Sequence, residues 1–206
     1  MATAMKPQIV EEYHAQDLGA PFKVVLINSV KQLVDEDTGE VEQVIIPNLR
    51  GLIKCIAITR ILNPRKLSGS EIKFVRKAVK LSAKHVAKMI DVSPEHLSRC
   101  EAGSKILSPS AEKCLRVSIF LEQFKMLDDI DALALEDKDL LDKVKKVRTA
   151  IRAISAIVEE MEISSAFDPE PLEFRFKIVS AIEANLFDDE PNADWSSNDD
   201  CLDMAA

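Results

Sequence analysis

The chain has little from which to build a catalytic centre. Among its 206 residues are five glycines, and none falls in a Gly-rich loop of the kind that cradles phosphates. The three histidines, His14, His85 and His96, lie far apart in sequence, and no Ser/His/Asp or Cys/His arrangement stands out. The four cysteines, Cys55, Cys100, Cys114 and Cys201, include no Cys-x-x-Cys pair, and the histidines supply no zinc pattern around them. Disulfides are not expected in a cytoplasmic protein of this size, so Cys100 and Cys114 read as small packing residues. No apolar run reaches the ~18 residues that span a bilayer. The stretch from Met1 to Val10 lacks the basic-then-apolar layout of a secretory signal. The expectation is a cytoplasmic protein that is not an enzyme and has no cofactor, no metal and no membrane partner.

Charge is abundant but unevenly placed. The formal net charge is −8, which alone argues against a polyanionic partner. Between Arg65 and Arg116, however, stand twelve Lys/Arg and five Asp/Glu, a local charge of +7 that leaves −15 for the remainder. A basic segment on an acidic body suits a phosphate-facing domain; the plainer reading is a set of lysines that solvate an exposed helix face.

Hydrophobic periodicity gives the organisation. The first twenty residues show weak periodicity and are expected to be loose. Phe22 to Val34 reads as a strand, "DEDTGE" as a turn at Gly39, and Val41 to Ile46 as the second strand of a β-hairpin. Leu49, Leu52, Ile53, Ile56 and Ile61 then mark one face of a helix over 48–62, on which the hairpin should pack. "NPRK" breaks that helix at Asn63 to Lys66, because the residue before Pro64 is pushed out of helical geometry. Ser68 with Glu71 forms a capping-box signature for a new helix. Two short helices follow, Ser82 to Ile90 and Ser93 to Glu101, with Gly103 as the stop and Pro109 in the first turn of another. Farther on, Leu140, Val144, Val147, Ile151, Ile154, Val158 and Met161 repeat at 4, 3, 4, 3, 4, 3, the seam of a coiled-coil-like helix. This seam is a candidate dimer contact, or the core of a bundle formed with a last amphipathic helix through Leu172, Phe176, Val179, Ile182 and Leu186. The fold class so read is mainly α. A β-hairpin and helix occupy 1–63, a helix-turn-helix domain 64–127, a C-terminal helical region 128–187, and a disordered acidic tail 188–206.

The chemistry centres on "LSAKHVAKMIDVSPEHLSRCEAGSK", Leu81 to Lys105. Val86, Met89 and Ile90 fall on one side of the first short helix, Val92 plugs the turn, and Leu97 faces inward from the second. Glu95, His96, Ser98 and Arg99 cannot all turn inward as well. A helix held out in this way can enter a DNA major groove with its N-terminal residues at the base edges. Arg99 suits a bidentate guanine contact; His96 and Ser98 can donate to bases or phosphates. Glu95 can accept from cytosine or favour the helix N-terminus. The candidate DNA-facing set is Lys80, Ser82, Lys84, His85, Ser93, Pro94, Glu95, His96, Ser98, Arg99, Ser104 and Lys105.

This stretch resembles the lambda-repressor-like helix-turn-helix domain of Xre-type regulators, over about 67–120. The entry "LSGSEIKFVRKAVKLS" is similar to the helix that opens the DNA-binding domain of MqsA-type antitoxins. The chain departs from the pattern at Ala83, where Gln is usual, at Asp91, where Gly is frequent, and at Cys100, where Trp is common. Asp tolerates the left-handed backbone better than most residues. The resemblance implies a homodimeric transcriptional regulator, most simply a repressor, on a palindromic stretch of double-stranded DNA such as its own promoter. The alternative is an antitoxin or anti-activator whose acidic body masks a protein partner.

Overall fold

The computed structural model describes residues 5–124, 138–164, 166–168, 170–178 and 195–197. They belong to two compact units: one within Met1–Thr59 and Glu170–Ala206, the other within Arg60–Pro169. The first is a mixed sheet with five strands among the described residues. This overturns the mainly α expectation: the chain is mixed α/β. The strands missing from the sequence reading lie at both ends of the chain.

Strand β1 (Met5–His14) occupies the stretch expected to be loose. It is nearly all exposed, so its side chains show no apolar alternation that could announce a strand. Its order comes from antiparallel pairing with β2 (Lys23–Asp35), from Met5 opposite Asp35 to His14 opposite Val25. β2 bends at Asn28, whose φ is 48°, and the β1 register slips nearby, between Val10 and Glu12. The bend divides β2 between two partners. Lys23 to Leu26 pair in parallel with β4 (Glu173–Ile178), and Lys31 to Val34 pair antiparallel with β3 (Val41–Ile45). At the divide the buried Ser29 hydroxyl accepts the Ile178 N–H at 3.0 Å, extending the ladder where backbone pairing stops. β5 (Trp195–Ser197) pairs with β4, and the indole N–H of Trp195 donates to Pro47 O.

β4 stands where the last amphipathic helix was expected. "EFRFKI" alternates, with Phe174 and Phe176 fully buried between Glu173, Arg175 and Lys177. That period of two fits the sheet better than the 4,3 spacing through Leu172 and Phe176 fits a helix. Val179, Ile182, Leu186 and the rest of the expected tail lie outside the described residues, but Trp195–Ser197, within the stretch expected to be disordered, form β5, held by backbone pairing to β4 that no local pattern announces. The β2–β3 turn forms as expected: Asp35 accepts from the N–H groups of Asp37 and Thr38, and Gly39 takes φ 73°.

Helix α1 (Leu49–Leu62) begins where Asn48 Oδ1 accepts the Gly51 N–H, and it buries Leu52, Ile56, Ala57 and Ile61. Four helices follow the break at Pro64: α2 (Gly69–Ala78), α3 (Ala83–Met89), α4 (Pro94–Glu101) and α5 (Pro109–Gln123). Their core is Leu67, Ile72, Val75, Val79, Val86, Ala87, Ile90, Leu97, Leu107, Leu115, Ile119 and Phe120. A long helix, α6 (Lys138–Glu160), packs along α5. The seam residues divide. Val144, Ile151 and Val158 are buried within the single chain, whereas Val147 is 42% exposed and Ile154 and Met161 are half-covered. The side chain of Leu140 lies outside the described residues.

The loop 63–67 is fastened by buried charge. Arg60 uses its N–H groups on both oxygens of Glu71 (2.6 and 3.1 Å) and on the carbonyls of Asn63, Arg65 and Lys66. Arg116 donates to the carbonyls of Ile61, Asn63 and Arg65 and to Glu112. Glu112 also accepts from Lys66 Nζ and from the Leu67 N–H, both at 2.9 Å, and Lys66 reaches Leu107 O. All five charged residues are under 9% exposed.

Removing one member of such a cluster strands its partners without water. Arg116→Met is expected to lower unfolding stability by about 3–5 kcal/mol, read by urea denaturation. Acid should act on the same cluster. Burial alone would raise the Glu71 carboxyl, but the bonds from Arg60 and Ser68 overcome it and hold the group below the ordinary range. Its contribution is therefore present above the unfolded value of about 4.3 and is lost as pH falls through the lower folded value. Urea midpoints measured on the wild type and Glu71→Gln should converge as pH drops below about 4.

Candidate nucleic-acid interface

The helices from 68 to 108 are cut to length by local chemistry at both ends. Ser68, Ser82, Ser93 and Ser108 each accept the N–H three residues on, the N-cap bond, and Ser68 with Glu71 completes the capping box. Each C-terminus before a turn closes the same way. Lys80, Asp91 and Gly103 adopt positive φ (59°, 53° and 77°). The next N–H then returns to a carbonyl five residues back: Leu81 to Arg76, Val92 to Ala87, Ser104 to Arg99, all at 3.0 Å. Asp91 thus takes the left-handed conformation expected of it, and the turn between α3 and α4 is four residues, Ile90 to Ser93.

Two contacts set α4 against α2. Arg76 grips Glu101 through two bonds of 2.6 and 2.8 Å and also donates to Leu81 O. At the other end of α2, a Cβ on Gly69 would stand 2.2 Å from the Cys100 carbonyl oxygen, so only glycine fits there. Leu97 and Cys100 are sealed at 0% and 1% exposure and anchor the inner face of α4.

The outer face carries the sequence candidates. Ser93, Pro94, Glu95, Ser98 and Arg99 of α4 are exposed, as are Lys80, Ser82, Lys84, His85, Ser104 and Lys105 around it. His96 is half-buried, and its N–H is taken by Ser93. Val92, expected as a buried plug, is also only half-buried. The Glu95 carboxyl is held below its ordinary value by its own backbone N–H and then by Ser93, so it serves the helix N-terminus.

The DNA-facing set read from the sequence omits three exposed lysines. Lys88 stands one helical turn beyond Lys84, and Lys73 and Lys77 share the same i,i+4 spacing on α2. Among the described residues, none of Lys73, Lys77, Lys80, Lys84, Lys88, Arg99 and Lys105 lies at ion-pair distance from a carboxylate. Burial does not weaken the local charge either. Lys66 and Arg116 leave the surface together with Glu71 and Glu112, so the +7 between Arg65 and Arg116 is unchanged outside the core. Of the cysteines read as packing residues, Cys100 is buried and its thiol pKa is raised by that burial, whereas Cys114 is exposed.

No protein-family model, no curated protein and no solved structure matches the chain.

Opposite changes at two tight backbone positions check how α4 is held. Gly69→Ala should cost about 1–3 kcal/mol, since the carbonyl it meets is backbone and cannot swing aside. Asp91→Gly should raise stability by about 0.5–1 kcal/mol by relieving the left-handed residue. Thermal melts of the two variants should move in opposite directions from the wild type.

Proposed function

We propose that the chain is a sequence-specific DNA-binding regulator that acts as a homodimer on a two-fold-symmetric site. The observation that carries this reading is the division of α4. Its inner face is locked by Leu97, Cys100 and the Arg76–Glu101 grip, while its N-terminal outer face is solvent-exposed, and the helices α2 and α3 carry exposed lysines that, among the described residues, form no ion pair. Such a helix enters a major groove with its first turns at the base edges. Arg99 is the residue for direct readout, because a guanidinium matches the two acceptors of guanine. Lys80, Lys84, Lys88 and Lys105 supply phosphate contacts. Ser82 and Ser93 sit at helix N-termini, where backbone N–H groups also favour phosphate. A single helix reads few base pairs, so a second copy one helical turn away supplies both site length and symmetry. The resemblance to Xre-type domains points the same way.

Base contacts and phosphate contacts fail differently, and that difference is the test. Gel retardation is run on DNA selected from a random pool, across a salt series. Arg99→Ala should weaken the selected fragment about 10- to 100-fold and level its advantage over unrelated DNA. Lys88→Ala should weaken all fragments alike and reduce the slope of log affinity against log salt by about 1. Selection that yields no enriched sequence, or an Arg99→Ala chain that discriminates as well as the wild type, overturns the reading.

A further inference from the structure

The heptad-like seam of α6 is two faces. Val144, Ile151, Ser155 and Val158 form the inner one, buried in the unit where α6 packs along α5. Lys113 Nζ to Glu159 O and Arg116 Nη1 to Met161 Sδ mark the crossing at its C-terminal end. About a quarter-turn around the helix runs a second stripe, Val147, Ala150, Ile154 and Ile157, spaced 3, 4, 3; Met161 follows just past the helix end, where its sulfur accepts from Arg116. Val147 is 42% and Ile157 63% exposed, Ala150 is exposed, and Ile154 and Met161 are half-covered. A stripe with this period over about 15 Å of helix has the form of a two-stranded coiled-coil seam.

We propose that this outer stripe is where a second copy of the chain packs, with the two α6 helices antiparallel. The orientation follows from the charges that flank the stripe. On its solvent side stand Lys146 near one end and Glu160 near the other, both exposed and, among the described residues, without an ion-pair partner. In an antiparallel pair, Lys146 of each copy faces Glu160 of the other. In a parallel pair this flank would face the opposite flank of the partner helix, which carries the buried Ile151 and Val158, so Lys146 and Glu160 could not meet. The antiparallel arrangement is also isologous, the same patch meeting itself across a two-fold axis near Ala153 and Ile154. This names the surface for the dimer in the proposed function, and it leaves the inner face, which fills the core of the single chain, undisturbed.

The test is sedimentation equilibrium of the full chain without DNA, so its result is independent of any operator. The wild type should be a dimer. Ile157→Glu, on an exposed side chain, should leave the melting temperature of the monomer intact and raise the dimer Kd at least about 30-fold. Lys146→Glu and Glu160→Lys should each weaken the dimer by placing like charges together, and the double exchange should restore it. A wild type that stays monomeric at ~100 μM, or a dimer indifferent to Ile157→Glu, overturns the proposal, and the stripe then belongs to a different protein. A double exchange no tighter than either single change overturns the antiparallel orientation. Loss of the dimer with sequence discrimination retained, or the reverse, separates this proposal from the DNA-binding one.

Discussion

The loop 63–67 is the constraint on which the helical unit rests. Pro64 ends α1, and the carbonyls of Ile61, Asn63, Arg65 and Lys66 are all taken by guanidinium groups. A buried loop normally leaves carbonyls unsatisfied, which costs free energy for each. Here Arg60 reaches from α1 and Arg116 from α5, so the loop cannot shift without breaking bonds to both helices. Glu71 at the start of α2 and Glu112 in the first turn of α5 neutralise the two arginines and Lys66. Three cations and two carboxylates would be an expensive inventory in an apolar core. Five backbone carbonyls absorb the remaining donors, which offsets the cost of burying them. The starting position of α2, and with it everything α2 supports, is set by this network.

From α2 outward, placement passes down a chain of short-range devices. Ser68 starts α2 against Glu71, and Gly69 lets the Cys100 carbonyl approach closely. Arg76 then ties the far part of α2 to Glu101, so α4 is fastened to α2 at two points. The exposed face of α4 is thereby a consequence of contacts made behind it. Arg99 shows this most directly: its carbonyl accepts the N–H groups of Ser104 and Lys105 and the Ser104 hydroxyl, while its side chain remains in solvent. The backbone of a residue proposed to read a base is held by three hydrogen bonds, which limits how far its side chain can stray.

Much of the helical unit was legible because its signals are local. A serine three residues before the N–H it caps, an Asp or Gly in a left-handed position and a proline in the first turn all act within five residues. The solvent face of α4 followed from Leu97 alone, since the neighbours of a buried residue on so short a helix must largely face out. What local patterns could not give was the sheet. β1 is exposed almost throughout and holds only by pairing with β2. β4 lies nearly 150 residues from β2 in sequence, and its six residues carry a period of two beside a competing helical spacing. Nor did any spacing mark Arg60, Lys66 and Arg116 as core residues. A charge counted on the surface by default is withdrawn only when its partner's position is known, and Glu112 lies 46 residues from Lys66.

The uneven charge acquires a physical meaning from burial. Because the buried cluster removes two cations and two anions from the segment 65–116, its outward field is that of the remaining lysines and arginines, offset by Asp91, Glu95 and Glu101. The −15 on the remaining residues opposes attraction to any polyanion at long range, yet such opposition is screened beyond about 8–10 Å in physiological salt. Under the proposed reading, close contact of α3 and α4 with DNA therefore remains favourable. Specificity then comes from what only docking can form: the Arg99 contact and a second recognition helix placed by the partner copy.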